Sequence, residues 1–257
     1  MAAVRKAAIV TGGGRGIGEA IARRFAADGM AVLITSTDGK TAQAVADDLA
    51  ARGAPVAAIA SDVADPAQAP RLVETALARF GRLDVLVNNA GTSSFQKFLD
   101  LQYEEWQRVL AVNLTGMAMS SVAAGRHMAE QRSGRIVNLA SVVGERAIGG
   151  RTSYGTSKAA IIQLTRQMAI ELAPFGVTVN AIAPGAIETD MVRKVHTPEM
   201  RAALTRSIPL GRYGQVDEIA HAAAYLASDG AAYVTGTTLE VDGGIVNALA
   251  FQGTGGS

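Results

Sequence analysis

The chain has 257 residues, 49% of them hydrophobic and 18% charged, enough to bury a full core and too apolar for a disordered segment. A net charge of +1 gives no reason to expect nucleic acid or an anionic membrane as partner. Cysteine is absent, which excludes disulfides and thiolate chemistry; the histidines, His127, His196 and His221, are too scattered for a metal cluster. No run approaches the roughly 18 apolar residues of a membrane span, and Met1–Lys6 is too short and charged for a secretory signal. A cytoplasmic protein with no metal is expected.

In chain order, short apolar runs alternate with amphipathic ones. The runs are 7–11, 31–35, 56–60, 83–88, 135–140, 177–183 and 237–241. They are rich in Val, Ile and Leu without polar alternation, as in strands buried on both faces. Between them Ile17, Ile21 and Phe25 form one helical stripe, and Val216, Ile219, Ala220 and Ala223 another. Strand–helix alternation predicts an α/β fold: one Rossmann-type, doubly wound domain over residues 1–257, with seven parallel strands and helices on both faces. No linker or repeat divides the chain. The stretch from about 190 to 212 breaks the rhythm, holds Pro198 and Pro209, and is helical in character. It follows a strand end, where such sheets bind ligands, and is read as a substrate lid. Gly253–Ser257 is flexible in composition.

The first strand runs into Gly12-Gly13-Gly14-Arg15-Gly16-Ile17-Gly18, then a helix. Such a turn lets backbone approach a pyrophosphate at a helix N-terminus. The alternative is a glycine-rich turn without ligand; the strand–turn–helix order argues against it. Sheets that bind NAD place an acid at the end of the second strand. Here Ser36 and Thr37 stand there, and Asp38 comes two residues late. Arg15 can pair with a 2′-phosphate, with Ser36, Thr37 and Lys40 as further donors; otherwise it is a solvated loop arginine. NADP(H) is the expected cofactor, with NAD(H) as the alternative.

Tyr154 and Lys158 stand four apart, on one helix face. Lowering a tyrosine from about 10 to about 7 takes roughly 4 kcal/mol, which one ammonium at about 4 Å supplies at an effective dielectric near 20. The pair is therefore a sufficient acid/base device, although such pairs also occur on surfaces. Ser141 ends the preceding strand, twelve residues before Tyr154, where a hydroxyl can meet a reacting carbonyl.

Thr11-Gly-x-x-x-Gly16-x-Gly18, Asn88-Asn89-Ala90-Gly91, Asn113, Ser141, Tyr154-x-x-x-Lys158 and Pro184-Gly185 stand in the order and approximate spacing of the short-chain dehydrogenase/reductases. The chain resembles that family from Lys6 to Gly244, and within it the 3-oxoacyl-carrier-protein reductase-like members. The resemblance implies Tyr154 as acid/base, with Lys158 lowering its pKa and holding the nicotinamide ribose. It implies Ser141 as substrate orienter and Asn113 as holder of a water linking Lys158 to solvent. Asn89, Ala90 and Gly91 would line the cofactor, Asp62 and Val63 would contact adenine, and Pro184, Gly185, Ile187 and Thr189 would border the nicotinamide. Simpler roles stand beside these: Asn88 and Asn89 satisfying backbone, Asn113 kinking a helix, Asp62 and Thr189 capping helices, Pro184-Gly185 turning the chain. The resemblance also implies a homotetramer, through apolar stretches that include 117–124 and the tail 245–251.

The substrate is a small molecule. Glu145 and Arg146 follow Ser141 and either bind a hydroxylated substrate or pair with each other at a subunit contact. Met191 and His196, in the lid, are candidate substrate contacts, although a solvated loop histidine is the simpler reading of His196. A carrier-protein reductase would need a basic docking patch, for which Arg132, Arg135, Arg146 and Arg151 are the candidates; Phe175 weakens that reading. Trp106 reads as core or subunit interface, and Glu19, Arg23 and Arg24 as a solvated helix face. Three functions stay open: a sugar or polyol dehydrogenase, a 3-oxoacyl-carrier-protein reductase, and a cofactor-binding regulatory protein without turnover.

Overall fold

The computed structural model describes residues 6–248; the tail beyond Ile245–Ala248 and Gly253–Ser257 lie outside the described residues. The elements run β1 Ala7–Val10, α1 Gly16–Ala27, β2 Ala31–Ser36, α2 Gly39–Ala51, β3 Val56–Ala60, α3 Gln68–Phe80 and β4 Val85–Asn88. They continue α4 Tyr103–Leu110, α5 Gly116–Gln131, β5 Gly134–Leu139, α6 Val142–Glu145, α7 Thr152–Leu172 and β6 Val177–Pro184. The chain then makes β7 Ile187–Glu188, α8 Asp190–Val195, α9 Pro198–Ser207, β8 Gly214–Gln215, α10 Val216–Ala227 and β9 Thr238–Val241.

Seven strands form one parallel sheet in the order β3-β2-β1-β4-β5-β6-β9, as expected. The β1, β4 and β6 residues are all buried, which is why their runs show no polar alternation. One face of the sheet is packed by α1, α2 and α10 around Ile21, Phe25, Val45 and Ile219. The other is packed by α3, α5 and α7 around Leu72, Leu86, Met128 and Ile136. The strand order reverses between β1 and β4, so the two crossovers leave a crevice at their carboxyl ends.

A buried polar chain joins the centre of the sheet to one helical layer. Asn88 Nδ2 donates to Ser121 Oγ and to Asn138 Oδ1, both at 2.8 Å. Asn138 Nδ2 donates to Thr165 Oγ1 at 2.9 Å, and Thr165 Oγ1 donates to the Ile161 carbonyl. This fixes β4 and β5 in register with α5 and α7, beneath the end of β5 that carries Ser141.

The 190–212 segment is helical, as α8 and α9. The two-residue pair β7–β8 that closes its base was not legible in the sequence. Arg201 and Arg193 both pair with Glu188 of β7, tying the two helices to that base. Arg23 is not simply solvated: it is half-buried between Glu19 and Asp48. Trp106 is half-buried within the chain.

Replacing Asn138 by Ala would leave Asn88 and Thr165 short of partners in the interior. A loss of about 3 kcal/mol is expected, measured by urea denaturation of the folded protein. A loss below about 1 kcal/mol would show that the chain is not a structural tie.

Candidate active site

The glycine turn and the strand ends build the first wall. Gly12 and Gly16 have φ of +64° and +57°, which side chains rarely adopt. A Cβ on Gly12 would stand 2.9 Å from Ala90 Cα, so the turn lies against the segment after β4. Thr11 Oγ1 accepts from the Asn89 and Ala90 amides, each at 3.0 Å. Asn89 Nδ2 donates in return to the carbonyls of Thr11 (2.9 Å) and Gly12 (3.1 Å). Asn89 therefore satisfies backbone, as one of its two readings held, and thereby shapes the turn. Thr11, used in the sequence only as a motif letter, is the pivot of this clamp. Ile17 and Gly18 lie in the first turn of α1, Gly18 buried. Gly14 packs closely on the start of α2, its virtual Cβ 2.6 Å from Thr41 Oγ1. Gly16 faces Thr189 across the crevice at 3.7 Å by the same measure, which brings the lid's base to the turn.

Arg15 is exposed at the N-cap of α1 and has no acidic partner among the described residues. Ser36 is half-buried and Thr37 exposed. Asp38 is occupied locally: it caps α2 by accepting from the Lys40 amide at 3.0 Å. Asp62 is exposed and accepts from the Ala64 amide, while Val63 is buried and its carbonyl packs on Gly116. Thr189 caps α8, accepting from the Val192 amide at 3.2 Å. Pro184 and Ile187 are buried beside it, and Gly185 packs against Asp242.

The second wall is β5, the start of α7 and a distorted helix. Ser141 lies two residues past the end of β5, is 7% exposed, and caps α6 by accepting from the Val143 amide. Tyr154 and Lys158 follow on α7. Lys158 is 5% exposed; its Nζ donates to the Leu139 carbonyl at 2.6 Å and lies 5.6 Å from the Tyr154 ring centroid. Residues 111–115 form a π-helical turn, the distortion foreseen for Asn113. The Asn113 side chain is engaged at both ends. Its Oδ1 accepts from the Thr92 amide at 2.7 Å, and its Nδ2 donates to the Thr92 carbonyl and to Ser157 Oγ. Ser157 Oγ donates to the Tyr154 carbonyl at 2.7 Å. Ser157 and Thr92 thus link Asn113 to α7, and nothing in the sequence spacing marked them. A virtual Cβ on Gly91 would lie 3.4 Å from Asn113 Oδ1 and 3.8 Å from Lys158 Nζ, so this glycine lets the two strand-end segments close on the lysine.

Burial dominates the electrostatics of Tyr154 and Lys158 in the free chain. Burial raises the Tyr154 pKa above the ordinary value, with Ser141 and the Arg151 charge pulling the other way. Burial also lowers Lys158 to about 8. The Lys158 ammonium lies 5.6 Å from the Tyr154 ring centroid. In the free chain desolvation wins.

Other residues fall differently from expectation. Glu145 and Arg146 are exposed and are not paired with each other. Glu145 and Arg151 line a cleft of about 680 Å³ with Lys97, Phe98 and Ile148. Met191 is 58% exposed on α8. His196 is not a solvated loop residue: it is half-buried, its Nδ1 3.0 Å from Tyr213 Oη, and burial followed by the Arg151 charge lowers its pKa. The basic patch does not assemble. Arg132 and Arg135 sit at the amino end of β5, opposite the crevice, Arg132 over Phe175 and Arg135 near Asp229. Among the described residues no acid or histidine cluster can hold a metal, and no helix is long and apolar enough to cross a membrane.

A parallel seven-stranded sheet with a glycine turn and a Ser, Tyr and Lys set at its carboxyl edge defines a dinucleotide-dependent oxidoreductase. Residues 12–246 match the family model described as enoyl-(acyl carrier protein) reductase. The 3-oxoacyl-(acyl-carrier-protein) reductase FabG of Escherichia coli (strain K12) is 43% identical over 240 residues, 93% of this chain and 97% of that protein. The 3-oxoacyl-(acyl-carrier-protein) reductase of Synechocystis sp. is 43% identical over 241 residues, 93% and 96% of the two chains. A gluconate 5-dehydrogenase from Burkholderia cenocepacia, solved in complex with NADP and tartrate, superposes with a TM-score of 0.91 at 36% identity, covering 95% of this chain and 96% of that one. The chain belongs to the short-chain dehydrogenase/reductase family and is an oxidoreductase.

The Lys158 value yields a direct test. In the free protein, a 13C-labelled lysine titration should show one resonance with a midpoint about 8, missing in Lys158→Met. A Lys158 midpoint above about 10, the ordinary lysine value, would show that burial does not act on it as described.

Proposed function

We propose that this protein is an NADP(H)-dependent oxidoreductase that interconverts a secondary alcohol, including a sugar or polyol hydroxyl, and a carbonyl, with Tyr154 as acid/base. The observation that carries the proposal is the meeting of Ser141, Tyr154 and Lys158 at the carboxyl end of β5, across the crevice from the glycine turn. The donor set suits a phosphorylated dinucleotide. Gly12 and Gly16 let backbone approach the cofactor at the turn, Arg15 has no acid partner among the described residues, and Asp38, just past β2, is spent as a helix cap. Arg15, Ser36 and Thr37 would hold the 2′-phosphate. Asp62, Val63, Asn89, Ala90 and Gly91 would border the adenine half, and Pro184, Gly185, Ile187 and Thr189 the nicotinamide half.

When bound, the cofactor supplies or accepts the hydride and, oxidised, adds a positive charge to the site. The chain's own residues handle orientation and the proton. Ser141 donates to the substrate oxygen and aligns it. The Tyr154 phenolate takes the proton from the alcohol in oxidation, and the phenol returns it to the carbonyl oxygen in reduction. Lys158, still largely protonated near pH 7 with a pKa about 8, stabilises the phenolate and holds the nicotinamide ribose. Asn113 positions this set through Thr92 and Ser157. A water connecting Lys158 to solvent would meet its backbone at the π turn, because its side-chain amide is engaged. Residues 190–212 would act as the lid, with Met191 and His196 facing substrate.

Identity to 3-oxoacyl-(acyl-carrier-protein) reductases supports a thioester substrate as the second reading. The four candidate arginines do not form one basic patch, Arg132 and Arg135 standing at the amino end of β5 and Arg146 and Arg151 beside α6 and α7, which favours the alcohol and polyol reading. A homotetramer, expected through stretches that include 117–124 and the tail 245–251, accompanies the proposal, although Met117 and Ala124 pack into the chain's own core; light scattering at micromolar concentration should give four subunits, and a monomer would remove it.

Tyr154→Phe should retain NADP(H) affinity within a few-fold while turnover falls at least about 1000-fold. Turnover near wild type would contradict the role of Tyr154. In the same assays kcat/KM with NADP(H) should exceed that with NAD(H) at least about tenfold, and equal values would contradict the role of Arg15.

A further inference from the structure

We infer that Arg151 binds a carboxylate of the substrate, so that the molecule oxidised or reduced at Tyr154 carries an acid group within a few bonds of the reacting carbon. The inference rests on the reading of Tyr154 as the acid/base and names the substrate class for that site.

Arg151 stands one helical turn before Tyr154, at the N-cap of α7. Its backbone is held by a parallel bridge to Gln96, whose amide donates to the Gly150 carbonyl at 2.9 Å. The guanidinium lies 5.9 Å from the Tyr154 ring centroid and 5.5 Å from that of Phe95. Its Nη1 donates to Ser93 Oγ at 2.6 Å, with the Ser94 carbonyl at 3.4 Å. Nε and Nη2 make no hydrogen bond among the described residues. That leaves donors free for a two-point contact with a carboxylate, the geometry guanidinium matches best.

The missing partner is what sets Arg151 apart. Arg108 grips the same loop, donating to Thr92 Oγ1, yet it is neutralised by a two-point pair with Glu105. Arg82, Arg23 and Arg201 are likewise half-buried and each has an acid within 4 Å. Arg151 is half-buried with only neutral acceptors and no acid within that distance among the described residues. A partly desolvated cation without a counter-ion is costly, and anchoring the 92–95 loop does not require it. Its charge reaches both walls of the crevice, drawing down Tyr154 on α7 and His196 at the end of α8. It also lines a cleft of about 680 Å³ that opens beside the start of α7 with Thr152 and Gly155, so the guanidinium is not sealed from solvent.

Distance selects the substrate. An anion held by Arg151 sits beside Tyr154, so the charge must belong to a group one to three carbons from the carbinol. Hydroxy acids, keto acids and aldonates meet this condition. The reacting end of a 3-oxoacyl thioester is uncharged, and its phosphate lies at the far end of a long arm.

The test is calorimetric binding to the NADP(H)-loaded protein, with tartrate and gluconate as acid probes and threitol and glucitol as their neutral counterparts. The acids should bind wild type about 30-fold tighter than the polyols. Arg151→Gln should erase that preference, and Arg151→Lys should restore part of it while losing the two-point contact. Both variants are first checked for wild-type melting and cofactor binding. Equal binding of acids and polyols by wild type overturns the inference, as does an unchanged preference in either folded variant taken as Arg151→Gln or, should that one not fold, Arg151→Met. Tyr154→Phe is the control for the underlying reading: it should keep the acid preference and lose turnover. Retained turnover there would sink the role of Tyr154 and leave the binding result standing.

Discussion

The buried run from Asn88 through Asn138 to Thr165 is the constraint on which the site depends. Parallel strands have no short hairpin to set their register, so the sheet needs another device to bring β4 and β5 to a common edge. Two amides supply it. Each lies fully inside the protein and is satisfied by the other or by a helix hydroxyl, so any slip of register would leave unpaired polar groups. With β4 and β5 fixed, Asn89 reaches back to the glycine turn, and Ser141 comes forward to α7. The same polar logic repeats at the surface of the crevice, where Thr11 and Asn113 each join a strand end to a neighbouring segment.

The arrangement places proton chemistry in a dry place. Burial moves Tyr154 and Lys158 toward their neutral forms, in opposite directions on the pKa scale. Neither group is then at its working value in the free protein. Lys158 retains most of its charge near neutral pH, and a further positive charge in the crevice would weigh on Tyr154 more heavily because the surroundings are desolvated. An acid/base that becomes active only when the crevice is filled would be protected from idle proton exchange.

Much of this was legible in the sequence. The short runs at 7–10 and 177–183, rich in Val, Ile and Ala, read as strands buried on both faces, and the strand–turn–helix order around Gly12 and Gly16 located the crevice. Tyr154, Lys158 and Ser141 were legible because helical spacing and a strand end are local facts. What the sequence did not carry was depth and long-range pairing. The four-residue spacing of Tyr154 and Lys158 gives a partner but not the desolvation that outweighs it. Arg132 and Arg135 lie near Arg146 and Arg151 in the chain, yet β5 carries the first two to the opposite edge of the sheet. Tyr213 meets His196 from the far side of α9, and strands of two residues, such as β7 and β8, have no period to detect.

We propose that Tyr154 is a half-buried acid/base whose ionisation is controlled from the crevice. The measurement that addresses it most directly is a tyrosinate absorbance titration of the protein with and without oxidised cofactor. One phenol should ionise high in the free protein, and its midpoint should fall when NADP+ is added, a signal lost in Tyr154→Phe. A titration that NADP+ leaves unchanged, or a cofactor-dependent signal that persists in Tyr154→Phe, would contradict it.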